Sequence, residues 1–296
     1  CRKYMPSSNA NFANLYIDGV LWGLYSNVEA VNKEFLIDRF GSKYSSFFKC
    51  NPEDLNIQIG GENSNLSNTH GTDSMDYIPY YDIESDYGWG DLYHLIDTLN
   101  NFQEDIDKVL NVDRTLWMHA LNYSIINFDS YIGYGQNYYL YLDQANQFNP
   151  IIWDLNMSFG SFRLTDASQL FYNGFDINQA QTMDPLIHHE YVSVAPRPLL
   201  TNLFESERNR KMYLAHIRTI MEENFVNQEY YYRGQTLSDM IYQDVLNDTN
   251  KFYSNDDFIN NLTNQVSIIT SICPGITQLM DVRSEYLSSY TGYSGE

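Results

Sequence analysis

Three side chains that can coordinate a metal ion follow apolar segments near the centre of the sequence, between residues 127 and 163. Asp129 comes just after a predicted helix, Asn137 lies in the loop that follows, and Asp154 ends a predicted strand. A helix-loop-strand-turn-strand order allows the two carboxylates and the amide to converge on one point. Their oxygens are suitable ligands for Mg²⁺, which keeps water and phosphate in its remaining shell. The block therefore predicts metal-assisted phosphoryl chemistry.

Phosphoryl-transfer enzymes of the protein-kinase type use the same order of elements. In that scheme Asp129 accepts the proton of the substrate hydroxyl, Asn137 is a loop ligand of the metal, and Asp154 is the main metal ligand. The sequence has no H-R-D, no D-F-G and no G-x-G-x-x-G loop. From spacing alone the alternative stays open that both aspartates cap turns and that Asn137 pairs with a backbone edge.

The charge of the chain limits its partners. With 38 acidic and 17 basic side chains, the formal net charge is −21. Such a field repels polyanions, which argues against nucleic-acid binding and against docking on an anionic membrane. Residues 1–50 carry six basic and four acidic side chains, whereas residues 51–112 carry thirteen acids and one lysine. An anionic ligand should favour the first region, and the acidic middle is either a solvated loop or a Ca²⁺ site.

Composition also indicates a compartment. Frequent Tyr, Asn and Ser with few lysines suit a secreted or cell-surface protein. No apolar run approaches the roughly 18 residues that suggest a membrane span, and no signal peptide is recognisable. The cysteines, Cys1, Cys50 and Cys273, have neither metal-ligand nor C-x-x-C spacing. A Cys1–Cys50 disulfide and buried free thiols both stay open.

The pattern of elements predicts a small β-rich segment followed by a helical one. Asp18-Gly19 between two β-rich runs predicts a hairpin, and Gly41 closes a predicted helix from Asn32 to Phe40. Residues 51–88 lack periodicity and predict a long ordered loop. The other predicted elements are strands at 46–49, 138–142 and 148–153, and helices at 91–100, 113–126, 199–204, 209–225, 237–246, 256–271 and 275–290.

Three stretches resemble the core signature of the CotH family, the spore-coat-protein-H-like atypical kinases. They are Asn-Phe-Asp-Ser-Tyr at 127–131, Gln-Asn-Tyr-Tyr-Leu-Tyr at 136–141 and Ile-Ile-Trp-Asp-Leu-Asn-Met-Ser-Phe-Gly at 151–160. The stretch W-G-L-Y-S-N-V-E-A-V-N-K-E-F-L at 22–36 is similar to the family's G-x-Y-x-x-V-E-x-V-(D/N)-K-x-F-L pattern. The resemblance spans nearly the whole chain and is most specific between residues 127 and 163.

The resemblance implies an extracytoplasmic α+β fold of the two-lobed, kinase-like type that binds ATP with Mg²⁺ and phosphorylates protein Ser or Thr. Asp129 and Asp154 match the family's two essential aspartates. Lys49 ends a Phe-Phe-Lys strand where members carry Tyr-Lys or Phe-Lys, and it matches the lysine that contacts the nucleotide phosphates. Lys33 is the competing lysine. Glu29 is expected to orient whichever lysine is used.

Two positions beyond Asp154 belong to the predicted site as well. Asn156 stands where many members have a second Asp, so a negative charge near the metals is missing although an amide oxygen remains. Arg163 lies just past the Phe159-Gly160 turn, where it meets either a phosphate or a neighbouring acid. The predicted organisation is a β-rich N-lobe at 1–50, an acidic insertion at 51–90 and a helical C-lobe at 91–296, with the catalytic block at 127–163.

Taken together, these features predict a secreted or surface kinase that transfers the γ-phosphate of ATP to a protein on a surface or in a matrix. Two other classes stay open. One is a non-catalytic surface or matrix protein of the same fold, with Ca²⁺ bound by the acidic segment. The other is a carbohydrate-binding module that uses an aromatic stretch formed by Tyr77, Tyr80, Tyr81, Tyr87 and Trp89.

Overall fold

The computed structural model describes residues 1–57, 62–191, 195–269, 271–290 and 292 of the 296-residue chain, which form a mixed α+β fold, as predicted. The strands are β1 (Ala10–Ile17), β2 (Val20–Val28), β3 (Phe47–Cys50), β4 (Asp82–Ile83), β5 (Tyr138–Leu142), β6 (Phe148–Ile152), β7 (Val266–Ile268) and β8 (Ser271–Cys273). The helices are α1 (Lys33–Phe40), α2 (Trp89–Asn101), α3 (Ile106–Val109), α4 (Val112–Ser124), α5 (Tyr131–Tyr134), α6 (Ile177–Gln181), α7 (Ile187–Glu190), α8 (Pro198–Phe204), α9 (Glu207–Ile220), α10 (Glu229–Asn247), α11 (Asn255–Asn260) and α12 (Ile276–Ser288). Short 3₁₀ helices occupy Asn68–His70, Ser74–Tyr80 and Gln103–Asp105, and a π-helical turn at Met221–Phe225 follows α9.

The first fifty residues form the predicted hairpin and helix. β1 and β2 pair antiparallel around Asp18-Gly19, whose φ angles of 51° and 80° are left-handed, as a tight hairpin turn requires. The Asn32 side chain accepts a hydrogen bond from the Phe35 N–H at the start of α1, and Gly41 ends the helix at a φ of 73°. Both elements are therefore determined by local sequence.

A four-stranded antiparallel sheet separates α1 from the helical part of the chain. Its strand order is β4-β3-β5-β6. On one face Phe47 and Tyr139 pack with Phe35 of α1, and on the other face Phe48 and Leu140 join the larger core. The sheet joins β3, from the predicted segment 1–50, to β5, from the predicted segment 91–296. The boundaries between these segments stay a prediction.

The larger core is formed by α2, α4, α8, α9 and α12. Two buried arginines bind backbone carbonyl groups around it. Arg197 donates from Nε to the Ile132 carbonyl at 2.9 Å, and Arg283 donates from Nε to the Tyr123 carbonyl at 3.1 Å. Such bonds satisfy guanidinium groups that have lost contact with water. They hold the end of α4 and the short helix α5, which lie on either side of Asp129.

The segment predicted as a long ordered loop is ordered and packed. Residues 51–88 contain two 3₁₀ helices and β4, and residues 58–61 of the segment lie outside the described residues. Leu66, Tyr77 and Tyr81 belong to the larger core. Tyr138 of β5 donates its hydroxyl to the Ser64 carbonyl at 2.6 Å. The aromatic stretch considered for glycan binding therefore contributes side chains to the core.

The prediction for residues 256–271 is wrong. The helix there is α11, which ends at Asn260, and the β7–β8 hairpin follows, with residue 270 outside the described residues. The apolar spacing from Phe258 onward resembles a helical face, but the β-branched Val266 and Ile268 favour a strand. Helix α10 begins at Glu229, well before the predicted start at 237.

The cysteines are all free, so the Cys1–Cys50 disulfide is not formed. Cys1 is exposed and Cys50 is buried. Burial raises the pKa of the Cys50 thiol well above its ordinary value, which keeps it protonated and unreactive. Of the helices in the described residues, none combines the length and the hydropathy needed to cross a membrane.

Candidate active site

The Asp129 loop is a tight turn between α4 and α5. Phe128 is fully buried, and the Gly133 N–H donates to its carbonyl oxygen at 3.1 Å. A Cβ atom at Gly133 would lie 2.2 Å from that oxygen, so a larger residue would break the turn. The turn leaves Asp129 half-buried, directly after the anchored Phe128.

Two polar residues just before β5 bind the Asp129 loop. Gln136 donates from Nε2 to Oδ1 of Asp129 at 2.7 Å, and Asn137 donates from Nδ2 to the Asp129 carbonyl at 3.0 Å. Gly135 and Asn137 both have left-handed φ angles, of 62° and 61°. This backbone path turns both polar side chains back onto the loop and leaves the Oδ1 atom of Asn137 as an acceptor.

Asp154 lies at the same end of the sheet. Tyr138 pairs with Ile152 at the last row of the β5–β6 ladder, so Asn137 and Asp154 emerge from adjacent strands. Asp154 has a left-handed φ of 49°, which bends the chain away from β6. The Phe159 N–H then donates to the Ile125 carbonyl at 2.7 Å. The segment after Asp154 is thereby bound to the end of α4, the helix that leads to Asp129.

The two aspartates interact electrostatically. Burial raises the pKa of Asp129; the hydrogen bond from Gln136 opposes this shift, and the negative charge of Asp154 adds to it. A raised pKa in a pair of neighbouring carboxylates indicates that a cation would be favourable there. Within the described residues no three His, Cys, Asp or Glu side chains form a group that could hold a metal. The donor set of two carboxylates and one amide oxygen fits Mg²⁺, whose other ligands are usually water and phosphate.

Lys49 is the nearest candidate cation along the sheet. It lies on β3 opposite Tyr139 of β5 and Asp82 of β4, one row from the sheet end where Asn137 emerges. Its side chain is half-buried on the face that α1 covers. Lys33, the competing lysine, is exposed at the first position of α1. The sheet register thus places Lys49 one row from the end that carries the candidate site, whereas Lys33 lies on a helix outside the sheet.

Comparison with models of known protein families gives a match over most of the chain. The family model of the CotH kinase protein matches residues 4–286 of the 296-residue chain. The chain belongs to the CotH kinase family. No curated protein shows significant similarity to it. The CotH match covers every element from β1 to the greater part of α12, and it supports a kinase-like function.

Glu29 and Arg163 have partners within this CotH member. Glu29 accepts from Nη2 of Arg39 at 3.0 Å and from the Asn9 backbone N–H at 2.8 Å. Glu29 therefore pairs with an arginine of α1 and not with Lys49 or Lys33. Arg163 donates from Nη1 to the Gly160 carbonyl, and the charge of Asp176 also acts on it. Its contact with a phosphate stays a prediction.

The remaining predicted ligand of the CotH site is Asn156. It is exposed, two residues beyond Asp154, and its role as a ligand stays a prediction. Sequence reasoning missed Gln136, which binds the Asp129 carboxylate directly. Its signal was present in the polar pair Gln136-Asn137, which directly follows Gly135 and precedes an apolar strand. A polar pair at such a position has no core to pack into and often binds a neighbouring loop.

Proposed function

We propose that this CotH-family protein transfers the γ-phosphate of ATP to Ser or Thr hydroxyls of proteins with the help of Mg²⁺. Family membership supports a kinase-like activity. The observation that carries the finer proposal is the corner formed by Asp129, Asn137 and Asp154, where two carboxylates interact and the pKa of Asp129 is raised. We also propose that residues 1–50 act as an N-lobe over the helical part, with the nucleotide between them.

Each residue of the corner has a distinct part in this proposal. Asp129 accepts the proton of the attacking hydroxyl, and its hydrogen bond from Gln136 fixes the carboxylate orientation. Asp154 and Asn137 hold the metal, with Asn156 as a further oxygen donor in the exposed turn. These residues would hold Mg²⁺, which would supply positive charge to neutralise the charge that develops on the phosphate oxygens.

Lys49 is proposed to contact the nucleotide phosphates, and Lys33 is the matched comparison. Replacement of Lys49 by Met should weaken ATP binding by about tenfold, which corresponds to the loss of one charge-assisted hydrogen bond. The same replacement at the exposed Lys33 should leave ATP binding unchanged. Calorimetric titration of both variants with ATP and Mg²⁺ measures the difference. Equal weakening by the two variants would favour a general charge effect of residues 1–50.

Transfer of radiolabelled phosphate from γ-labelled ATP tests the activity itself. The purified protein, a panel of acceptor proteins and Mg²⁺ are incubated, and label is followed on the protein and on the acceptors. Asp154→Ala should abolish transfer, whereas Asp239→Ala, which removes an exposed acid on α10, should not. Undiminished labelling by Asp154→Ala would disprove the assignment. Ca²⁺ binding without any response to nucleotide would favour a non-catalytic protein of the same fold.

The compartment and the partner are part of the same proposal. The Tyr-, Asn- and Ser-rich composition supports an extracellular or cell-surface location, and the net charge of −21 supports a basic or neutral protein acceptor over nucleic acid. Labelling of acceptors that differ only in net charge tests this preference. A preference for acidic acceptors would contradict it.

A further inference from the structure

The β1–β2 hairpin is a separate two-stranded sheet with little cover. It has no ladder to the four-stranded sheet. All its strand positions are exposed or half-buried except Gly23, which is buried. Large apolar side chains are exposed along both strands: Phe12, Leu15, Tyr16, Ile17, Val20, Trp22, Tyr25 and Val28. A hairpin of this kind is marginally stable by itself and needs contacts elsewhere to hold one position.

Those contacts come from the end of α10, more than two hundred residues away in sequence. Oδ2 of Asp248 accepts from the Leu24 N–H at 3.0 Å. The Asn250 side chain donates to the Trp22 carbonyl, and Asn14 donates from Nδ2 to Oδ1 of Asp244 at 2.8 Å. A side chain of β1 and the backbone of β2 are therefore bound to one short stretch, residues 244–250.

Close approach at Gly23 shows how tightly the hairpin is held. A Cβ atom at Gly23 would lie 2.9 Å from Oδ2 and 3.1 Å from Oδ1 of Asp248. The φ angle of Gly23 lies outside the left-handed range that favours glycine. The Asp248 carboxylate, and not the backbone conformation, therefore favours glycine at this position. The Gly23 and Asp248 pair forms a matched contact between strand and helix end.

Asp248 is itself fixed in place. It is buried at the C-terminal end of α10, its Oδ1 accepts from the Asn250 N–H at 2.8 Å, and Lys251 donates from Nζ to its carbonyl at 2.6 Å. Hydrogen bonds to an ionised carboxylate are about twice as strong as those between neutral groups. The carboxylate is therefore a rigid anchor rather than a mobile surface group.

The other anchor of the hairpin is at its base. Glu29, just after β2, binds the Asn9 N–H before β1 and Arg39 of α1. Because α1 covers the sheet face that carries Lys49, the base of the hairpin is bound to the segment proposed to bind phosphates. Asp248 binds the other part of the hairpin to the helical segment. We propose that Asp248 is a positioning residue that clamps the hairpin to α10 and thereby sets the width of the nucleotide cleft. This inference rests on the proposed function.

A double-mutant cycle tests the clamp. Asp248→Ala should speed hydrogen exchange of the amides at 20–28 and raise KM for ATP by about tenfold, the effect of one lost hydrogen bond to a charged group, with kcat changed less than about twofold. Gly23→Ala should act in the same direction, because its methyl group displaces Asp248. In the Asp248→Ala background the added methyl should have almost no further effect. Asp248→Asn, which keeps an acceptor, should restore part of the affinity.

Each arm of the experiment has its own meaning. Additive effects of Gly23→Ala and Asp248→Ala on exchange would overturn the clamp. Faster exchange with an unchanged KM would show that the hairpin is bound to α10 without controlling the nucleotide, which also overturns the proposal. If the unaltered protein binds no nucleotide, the proposed function fails, and the exchange arm still decides the contact. Asp239→Ala on the same helix and the thermal midpoint of each variant control for general loss of structure.

Discussion

Asp129 and Asp248 are both carboxylates shielded from water, but their surroundings shift their pKa values in opposite directions. Burial raises the pKa of Asp129, and the nearby charge of Asp154 adds to the shift. At Asp248 burial acts in the same upward direction, but the N–H groups of Leu24, Asn250 and Lys251 outweigh it and lower the pKa. Hydrogen bonds therefore outweigh burial at the clamp, whereas the bond from Gln136 does not outweigh burial in the corner.

This difference separates structural carboxylates from functional ones. A carboxylate surrounded by backbone N–H groups has its partners already and has little need of a cation. A carboxylate that shares its surroundings with a second acid is destabilised until a cation or a proton arrives. We infer that the Asp129–Asp154 corner is built to receive an external charge, and that the Asp248 contact is built to hold a strand.

The largest expected difference between the two sites is in turnover. Asp129→Asn should lower kcat by about 10²- to 10⁴-fold, the usual contribution of a general base, because the amide cannot accept the hydroxyl proton. Asp248→Asn should leave kcat nearly unchanged. Initial rates at saturating ATP and Mg²⁺ measure both variants. A comparable loss of kcat at the two positions would remove the distinction between them.

Replacement of Gln136 should give the next largest effect on turnover. Its hydrogen bond lowers the pKa of Asp129, so Gln136→Ala should raise that pKa further and move the acid limb of the pH–rate profile to higher pH. A hydrogen bond to a charged group contributes about 1.5–3 kcal/mol, so kcat should fall about 10- to 100-fold.

Gln147→Ala is the matched control for this change. Gln147 donates from the same Nε2 atom type, but to the backbone carbonyl of Asp107, and it lies in the β5–β6 turn at the opposite end of the sheet. The Gln147→Ala substitution should leave the acid limb of the pH–rate profile unshifted. A fall in kcat for Gln136→Ala without any shift of the acid limb would mean that Gln136 only supports the loop.

The contrast between the two sites also shows which features local sequence can predict. The hairpin turn at Asp18-Gly19 and the α1 caps follow from side chains within four residues of each other, and the sequence predicts them correctly. Asp154 could be predicted because a carboxylate at the end of an apolar strand is conspicuous. The Gly23–Asp248 contact could not, since it joins residues whose separation in sequence carries no periodic signal.

The failure at residues 256–271 has a similar physical origin. The apolar side chains there have helical spacing, but β7 (Val266–Ile268) and β8 (Ser271–Cys273) pair as antiparallel strands. Asn261 donates from Nδ2 to the carbonyls of Cys273 and Pro274, at 3.2 and 3.1 Å. These tertiary hydrogen bonds stabilise a chain reversal after α11. Helical spacing over a short segment cannot outweigh such contacts.

Stability should change in opposite directions at the two carboxylates. The folded-state pKa of Asp129 lies above the ordinary 3.8. Folding therefore becomes less favourable as pH rises from the ordinary pKa through the folded-state pKa, and this loss of stability persists at neutral pH. Asp129→Asn removes the cost and should raise the free energy of unfolding by up to about 1 kcal/mol, after allowance for solvent screening. The gain should vanish below the ordinary pKa, where the carboxyl is protonated in both states.

At Asp248 the contribution of the ionised carboxylate to stability should depend on pH in the opposite way. Its folded-state pKa is lowered, so its contribution is present above the ordinary pKa and is lost as pH falls through the folded value. Asp248→Asn should lower the free energy of unfolding by about 1–2 kcal/mol at neutral pH, from weakened charge-assisted hydrogen bonds. Urea denaturation at neutral and acid pH measures both variants. If the Asp129→Asn variant were less stable than the unaltered protein at neutral pH, this would contradict the view that the corner lacks a cation.

Glu29 should have the smallest effect, because it is a satisfied carboxylate like Asp248 but a more exposed one. Its side chain keeps 27% of its surface exposed and Arg39 keeps 24%, and ion pairs of this kind contribute about 0–1 kcal/mol. Glu29→Gln should therefore cost less than about 1 kcal/mol of stability and leave KM for ATP within about twofold. A rise in KM of about tenfold, as large as the loss of ATP affinity expected for Lys49→Met, would instead mean that Glu29 leaves Arg39 and pairs with Lys49 when nucleotide binds. The two outcomes distinguish a hairpin base that is only structural from one that takes part in binding phosphate.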